Sequence, residues 1–249
     1  MKKQSRLKCL SAFDLKLFAM ACMLCDHLWA TVIPGHDWMT NLGRLAFPIF
    51  AFQIAEGYFH THDFRRYLKR LFLFALISEI PYNLLVGGSF LYPFGQNVLF
   101  TFCLALLLIR LMEKARVKGP FLYVLAAAGC CLLGFLAGTL TMVDYFGYGV
   151  LTVFVFYFFH GRRFGWVGEL AGMILIHGIL YEGLSLEFTL GNWIITVPQQ
   201  ILSVFALIPI WLYNGKQGPH SRPVQYACYA FYPVHMLILS VLWLFVLNR

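Results

Sequence analysis

Charged residues are scarce in this chain, and their scarcity excludes most soluble folds. Only 12% of the 249 residues are Asp, Glu, Lys or Arg, while 60% are hydrophobic and 18% are aromatic. A soluble domain usually carries about 25% charged residues. The mean hydropathy is +0.72, and the apolar runs are continuous rather than alternating, which disfavours a β-barrel. The sequence therefore predicts an all-α fold, a polytopic transmembrane helical bundle.

The cysteines are also too few and too irregularly spaced to predict a disulfide framework. The chain has seven Cys, an odd number, and most of them fall within apolar runs. Cys22 and Cys25 precede Asp26 and His27, which is one residue away from a haem-attachment pattern, but a spanning helix is the wrong context for it. We therefore expect neither a disulfide framework nor a zinc site, and we interpret the cysteines as packing residues.

Nine apolar segments predict about nine to ten spans in one membrane domain covering residues 1–249. A span needs about 20 residues, so the sixth and seventh segments are short. The first segment follows a basic tail at residues 1–12, but it is too long for a signal peptide and contains Asp14 and Lys16, so we interpret it as a retained span. The segments cover roughly 13–33, 42–60, 67–86, 94–112, 120–142, 146–160, 164–181, 190–213 and 225–247.

The basic residues predict the orientation of these spans. Sixteen of the 19 Lys and Arg residues fall on one side if the nine segments alternate. The opposite loops are nearly free of Lys and Arg, and one of them carries Glu182 and Glu187. By the positive-inside rule the N-terminus is cytoplasmic. The sixteen are Lys2, Lys3, Arg6, Lys8, Arg65, Arg66, Lys69, Arg70, Arg110, Lys114, Arg116, Lys118, Arg162, Arg163, Lys216 and Arg222. The net charge of +8 thus mostly reflects the orientation of the chain in the membrane, and we expect no nucleic-acid partner.

Two pairs of glycines have the spacing of close helix contacts. Gly134 and Gly138 lie in the fifth segment, and Gly168 and Gly172 lie in the seventh. Small residues four positions apart let helix backbones approach each other. We expect both pairs to lie at helix–helix contacts.

Ionisable residues inside the apolar runs are the candidates for function, because a charge near the bilayer centre costs about 2.5–3.5 kcal/mol. His27 is the natural general base, since a neutral imidazole titrates near physiological pH. Asp26 projects about 100° away from it on a helix, so Glu79 or Glu56 is the expected orienting carboxylate. His235 lies in the ninth segment. The predicted catalytic set is His27, Asp26, Glu56, Glu79 and His235. The alternative is that Asp26 and His27 make an interhelical bond of structural value only.

A second group of polar residues lies near the predicted cytoplasmic face. Glu56 and His60 are one helical turn apart and share a face, which suits either a site or a structural ion pair. A cluster of four cations follows: Arg65, Arg66, Lys69 and Arg70. These cations suit the phosphates of a ligand, although a topology anchor alone explains them equally well.

Several stretches together resemble one family of bacterial integral membrane proteins, the TraX family. They are "FDLKLFAMACMLCDH", "LGRLAFPIFAFQIAEGYFHT", "YLKRLFLFALISEIPYNL", "QNVLFTF", "YGVLTVFVFY", and "LYNGKQG" followed by "FYPVH". The resemblance runs from about residue 13 to residue 237. It implies the acetylation of an N-terminal amine, because the family is associated with the acetylation of conjugative pilin. It also implies a bacterial cytoplasmic (inner) membrane location.

The family is distantly similar to membrane acyltransferases that use a cytoplasmic acyl-CoA, and this similarity implies acetyl-CoA as the acyl donor. Those enzymes carry an acidic and a basic residue at the start of the first span and a His at its end, which Asp14, Lys16 and His27 match loosely. A basic pair follows the second span of those enzymes, and Arg65, Arg66 and Arg70 correspond to it. Taken with the cluster described above, the predicted donor-binding residues are His60, Arg65, Arg66, Lys69, Arg70 and Lys16. The acceptor stays open between a peptide amine, a glycan and a lipid, and a homodimer stays open too.

The main rival from another functional class is a proton-coupled transporter, since intramembrane Asp, Glu and His also serve proton relays. Many transporters contain an inverted repeat, and the sequence shows no repeat. Nine spans also divide poorly into two halves. The acetyltransferase is therefore the favoured prediction.

Overall fold

The computed structural model describes residues 8–181, 183–190 and 193–244, and these residues form mostly helices. Lys2, Lys3 and Arg6 of the predicted tail and the loop residue Glu182 lie outside the described residues. The helices are α1 (Ala12–Thr31), α2 (Asp37–Gly43), α3 (Ala46–His60), α4 (Phe64–Gly87), α5 (Val98–Arg116), α6 (Pro120–Leu140), α7 (Phe146–Phe159), α8 (Gly165–Ile174), α9 (Leu207–Trp211) and α10 (Arg222–Leu242). A π-helical segment (Leu175–Leu180) extends α8, and a 3₁₀ segment (Gln199–Ala206) precedes α9.

The starts of the long helices follow from local capping chemistry. The Ser11 hydroxyl accepts from the Asp14 N–H at 3.2 Å, while the Asp14 carboxylate accepts from the Ser11 N–H at 2.8 Å. This reciprocal box satisfies free donors at the start of α1. Asp63 caps α4 with a single bond, its carboxylate accepting from the Arg66 N–H at 2.9 Å. Asn97 caps α5, through the Leu99 N–H at 3.1 Å.

Successive long segments run in alternating directions and define two ends of the molecule. At one end Leu10, before α1, pairs with Tyr213, after α9. At the other end Gln96, before α5, pairs with Val143, before α7. The first end carries the described members of the sixteen-cation set, and we call it the basic end; the opposite one is the far end. The predicted one-sided distribution of cations agrees with this arrangement.

The core lies around α3, α5 and α7, and glycines permit its closest approaches. A Cβ added at Gly138 of α6 would lie 2.8 Å from the Phe146 carbonyl oxygen of α7. One added at Gly134 would lie 2.8 Å from Val150, and ones at Gly168 and Gly172 would meet side chains of α7 at 2.1 and 2.7 Å. The prediction that both glycine pairs mark close helix contacts is confirmed.

The outer faces of three helices are apolar and exposed, which is the pattern of a surface in contact with lipid. Within the described residues, α4, α6 and α10 are long and apolar enough to cross a membrane. On α6, Phe121 is 77% exposed and Val124 is 66% exposed, whereas a soluble monomer rarely exposes a large continuous apolar patch. The chain therefore has the features of a helical membrane protein, while the count of nine to ten spans stays a prediction.

The expectation of a purely helical fold is wrong before and at the start of the eighth segment, 190–213. In the connection that precedes it, β1 (Ser185–Leu190) forms an antiparallel hairpin with β2 (Trp193–Pro198), which begins the segment, with Ser185 opposite Pro198 and Leu190 opposite Trp193. Ile194, Ile195, Thr196 and Val197 are β-branched, and such side chains favour strands. A hydropathy argument does not separate a short apolar strand from a helix. Only the 3₁₀ segment and α9 continue the segment as a helix.

Candidate functional site

The centre of the candidate site is a pair of imidazoles from the first and last long helices. His27 Nδ1 lies 2.8 Å from His235 Nε2. At 1.5 Å per residue, His27 is about 22 Å along α1 from Ala12, and His235 is about 20 Å along α10 from Arg222. The two helices run in the same direction, so the two rings meet at the same depth. His235 is buried, at 6% exposure, and His27 is half-buried.

The bonds of His235 determine which nitrogen atoms carry protons. His235 Nδ1 lies 2.7 Å from the carbonyl oxygen of Phe231. A carbonyl only accepts hydrogen bonds, so His235 Nδ1 carries the hydrogen and Nε2 of the neutral ring is an acceptor. His27 Nδ1–H must then be the donor to His235, which leaves a lone pair on His27 Nε2. The helix backbone thus selects the tautomer of His27 that can act as a base.

This arrangement corrects the expectation that a carboxylate orients His27. The partner of His27 is the imidazole of His235, and the two predicted carboxylates bond elsewhere. Glu79 Oε2 accepts from Asn97 Nδ2 at 2.5 Å. Glu56 Oε2 lies 2.8 Å from His160 Nε2. A neutral pair of imidazoles avoids the cost of burying an additional charge, which explains why it suits this depth.

Asp26 bonds a helix other than its own, as its direction on α1 predicts. Its Oδ1 accepts from Arg44 Nη2 at 2.6 Å, and both side chains are about one-fifth exposed, at 22% and 20%. Arg44 also donates to Thr40 Oγ1 at 3.0 Å and to Gln200 Oε1 at 3.5 Å. A Cβ added at Gly43 would lie 2.4 Å from the Cβ of Asp26, so glycine at that position lets α2 approach α1. The ion pair thus ties α1 to α2 and to the 3₁₀ segment beside His27.

Glu79 shares the depth of the imidazole pair but serves the start of α5. It lies about 22 Å along α4 from Phe64. Besides its bond to Glu79, Asn97 Nδ2 donates to the Ala75 carbonyl at 2.9 Å, and Asn97 Oδ1 caps α5. Glu79 therefore joins α4 to α5 at the depth of the imidazole pair.

Glu56 lies at the basic end, in a separate cluster of polar residues. The inner cluster consists of Glu56, His60, His160 and Tyr213. His60 Nδ1 lies 3.6 Å from Glu56 Oε1, and the His160 ring stacks on Phe59 with centroids 4.0 Å apart. The Tyr213 hydroxyl donates to the Glu56 carboxylate. Glu56 is about 18 Å from Arg44 by helical rise, because α3 runs from the far end to the basic end.

The four predicted phosphate-binding cations lie near one another on α4 but do not converge on one partner or hollow. Arg66 lies 3.6 Å from Asp63 and is exposed, while the Arg70 guanidinium lies over the Tyr229 ring of α10, 5.3 Å from its centroid. Lys69 is exposed, and Lys16 is half-buried on α1. Arg65 borders a hollow beside α5. Within the part of the chain that the structure describes, no group of His, Cys, Asp and Glu could hold a metal ion.

Two residues to which the sequence pattern assigns no role are connected to the predicted site residues. Arg44 is a charge within the second apolar segment, and its pairing with Asp26 depends on the turn between α1 and α2. His160 ends the sixth apolar segment, yet it bonds Glu56. Only the three-dimensional fold reveals these partners, since they are separated by many residues in the chain.

Comparisons with known proteins agree with the sequence resemblance. The family model described as "TraX protein" matches residues 11–243. The chain is 29% identical over 246 residues to a protein of Dichelobacter nodosus named "Probable fimbrial assembly protein FimC, serogroup H1", and the match covers 92% of this chain and 94% of that relative. No solved structure matches the chain.

Proposed function

The chain belongs to the TraX family, and on that premise we propose that it is an integral membrane acetyltransferase. It would move an acetyl group from cytoplasmic acetyl-CoA to an amine or a hydroxyl group. The acceptor would be a pilin-like peptide N-terminus, or an envelope glycan or lipid. The name of the Dichelobacter relative, a fimbrial assembly protein, favours a fimbrial peptide amine among these acceptors.

The observation that carries this proposal is the bond between His27 and His235, together with the bond from His235 to the Phe231 carbonyl. It supports His27 Nε2 as the general base of the reaction. In acyl transfer the acceptor must lose a proton as it attacks, and a base with a pKa near the working pH does this best. A half-buried imidazole that donates from Nδ1 has its Nε2 lone pair available for this purpose.

The proposed chemistry balances without a further reagent. The nitrogen or oxygen atom of the acceptor attacks the thioester carbonyl, and its proton passes to His27 Nε2. The carbon–sulfur bond then breaks, and His27 returns the proton to the departing CoA sulfur. His235 holds the His27 ring through both steps and, with the Phe231 carbonyl, stabilises the transient imidazolium. Correct placement of the two reactants can itself lower the barrier by about 7–11 kcal/mol.

Labelled acetyl-CoA supplied to membranes with and without the protein tests the proposal. We expect label to appear in envelope peptides, glycans or lipids only when the protein is present. Purified protein in detergent should also be stabilised against heat by the unreactive analogue desulfo-CoA. A proton-coupled transporter would instead take up solute into liposomes in the absence of CoA and show no stabilisation by the analogue.

A further inference from the structure

A groove at the basic end contains cations and aromatic residues to which the proposed reaction assigns no role. It lies between the turn joining α3 to α4 and the last turns of α5. Two adjoining hollows make up this basic groove, with volumes of about 540 and 590 Å³. Both hollows are lined by His62, Phe64, Arg110 and Lys114, and the larger one also by Arg65.

The cations of the groove outnumber its anions once the ion pairs are assigned. Arg116 Nη1 lies 3.2 Å from Glu113, and Tyr157 donates to the same carboxylate oxygen at 2.6 Å. Asp63 lies 3.6 Å from Arg66. Both carboxylates at the groove therefore have partners of their own. Among the described residues, Arg65, Arg110 and Lys114 form no ion pair with a carboxylate within 4.0 Å.

The positions of Arg110 and Lys114 reduce the stability of their helix, and cations that only fix the orientation of the chain in the membrane need not be placed so close together. Arg110 and Lys114 are four residues apart on α5, and like charges at that spacing destabilise a helix. Arg65 approaches the same hollow from α4. Cations that converge from two helices onto a concave surface suit a ligand with more than one negative charge, because each cation can then reach a different oxygen atom.

Aromatic rings line the groove beside these cations. The Phe64 and Tyr58 rings lie edge to face with centroids 5.8 Å apart. The Arg110 guanidinium lies over Phe64, 5.6 Å from the ring centroid. Phe59 lines the smaller hollow and is 38% exposed. Accessible aromatic faces next to cations are the usual platform for a nucleobase attached to phosphates.

We propose that the basic groove binds the phosphorylated nucleotide end of the acyl donor. This inference rests on the proposed function, since it assigns a position to a CoA thioester. Arg65, Arg110 and Lys114 contact the phosphates, while Phe64 and Tyr58 contact the base. Arg66, Lys69 and Arg70, which the sequence grouped with Arg65, take no part in these contacts. The acyl arm then extends from the basic end towards His27.

The affinity of the purified full-length protein for desulfo-CoA tests this assignment. We expect Arg110→Gln and Lys114→Gln each to weaken binding about 10- to 100-fold, the effect of losing a hydrogen bond to a charged group. Arg110→Lys should retain part of the affinity, because it keeps the charge. Arg162→Gln is the matched control, since Arg162 is an exposed cation at the same end, and it should bind like the wild type. Thermal unfolding without ligand shows whether each variant is folded.

Two competition experiments distinguish binding of a nucleotide from binding of a lipid head group. Adenosine 3′,5′-bisphosphate should compete with desulfo-CoA, whereas micelles containing phosphatidylglycerol should not. Equal competition by the lipid would overturn the nucleotide assignment in favour of a lipid head group. Unchanged affinity in folded Arg110→Gln and Lys114→Gln proteins would overturn the site itself.

The inference and the proposed function can fail separately. If Arg110→Gln transfers acetyl with the wild-type KM for acetyl-CoA, the groove is not the donor-binding site, while the proposed reaction at His27 still stands. If the wild-type protein binds desulfo-CoA through the groove but transfers no acetyl group, the groove is a nucleotide-binding site and the proposed reaction is wrong.

Discussion

The pair of His27 and His235 shows how a single backbone carbonyl can set the tautomers of two side chains inside an apolar bundle. The Phe231 carbonyl lies one helical turn before His235 and accepts from its Nδ1. This bond fixes the proton positions on both imidazoles without placing a charge in the bundle. An Asp or Glu in the place of His235 would hold the His27 ring equally well but would cost several kcal/mol to bury in ionised form. The pair is therefore suited to its depth.

Substitution of His235 tests whether it positions His27. In His235→Gln the amide oxygen can still accept from His27 Nδ1–H, whereas His235→Ala removes the acceptor. We expect His235→Ala to lower kcat for acetyl transfer at least about tenfold, equivalent to about 1.4 kcal/mol, with little change in KM. His235→Gln should retain more activity than the alanine variant. Equal kcat values in the wild type and both variants would show that His235 has only a packing role.

The Asp26–Arg44 pair is expected to be a stabilising contact between elements. Removing one partner leaves the other partly buried without its counter-charge. We expect Asp26→Asn and Arg44→Gln each to lower the unfolding temperature, and the double variant to lose less than the sum of the two. A double-mutant cycle should give a coupling free energy of about 0.5–3 kcal/mol. Strictly additive losses would contradict a direct interaction.

At the scale of whole elements, close helix packing depends on glycines at specific contacts. A Cβ added at Gly147 of α7 would lie 2.2 Å from the Phe135 carbonyl oxygen of α6. A backbone atom has little freedom to move away from such a contact. One added at Gly129 of α6 would meet nothing within 4 Å. The two positions therefore differ in packing although both are helical glycines.

Alanine at these two positions should have opposite effects on stability. Gly147→Ala forces α6 and α7 apart, and we expect a loss of about 1–3 kcal/mol. Gly129→Ala removes a flexible residue from an exposed helix, and we expect no loss and a gain of up to about 1 kcal/mol. Thermal unfolding in detergent measures both. The account of the α6–α7 contact fails if Gly147→Ala is as stable as Gly129→Ala.

The sequence predicted best those helices that are marked by a long apolar run or by a pair of glycines four residues apart. The long apolar runs gave α1, α4, α5, α6 and α10 close to their observed bounds, and the glycine spacing gave the contacts of α6 and α8. The hairpin was missed because β2 is as apolar as a short helix and β1 lies between two predicted segments. The β-branched run Ile194, Ile195, Thr196 and Val197 favours a strand, and this was the available signal.

The candidate site was predicted only in part, for a similar reason. His27 and His235 could be chosen because each is an ionisable residue at a comparable depth in an apolar run. Their direct bond could not be predicted, because hydropathy gives the depth of a residue but not which helices are neighbours. Depth also separates Glu56 from His27, although the sequence grouped them. Glu56 is only four residues from the last residue of α3, at the basic end.

For the whole molecule, the distribution of cations predicts which end faces the cytoplasm. Cys9 lies at the basic end and is exposed, so it reports on that end directly. Ser89 lies in the exposed connection between α4 and α5 at the far end. A cysteine introduced there reports on the opposite face.

Labelling with a membrane-impermeant maleimide checks this orientation. We expect Cys9 to react in inverted membrane vesicles and to be protected in intact cells. In a Ser89→Cys, Cys9→Ser protein the pattern should be reversed, with labelling in intact cells. Labelling of Cys9 from outside intact cells would contradict a cytoplasmic basic end, and with it the route by which acetyl-CoA reaches the site.

The most direct test of the account is the rate of acetyl transfer by His27→Ala under conditions where the donor is still bound. His36→Ala is the matched control, because His36 is exposed near the far end of α1 and its side chain makes no cap bond. We predict that His27→Ala binds desulfo-CoA with wild-type affinity but transfers acetyl about 10²- to 10⁴-fold more slowly, the usual contribution of a general base, while His36→Ala matches the wild type. A folded His27→Ala protein that transfers acetyl at the wild-type rate would contradict the central claim.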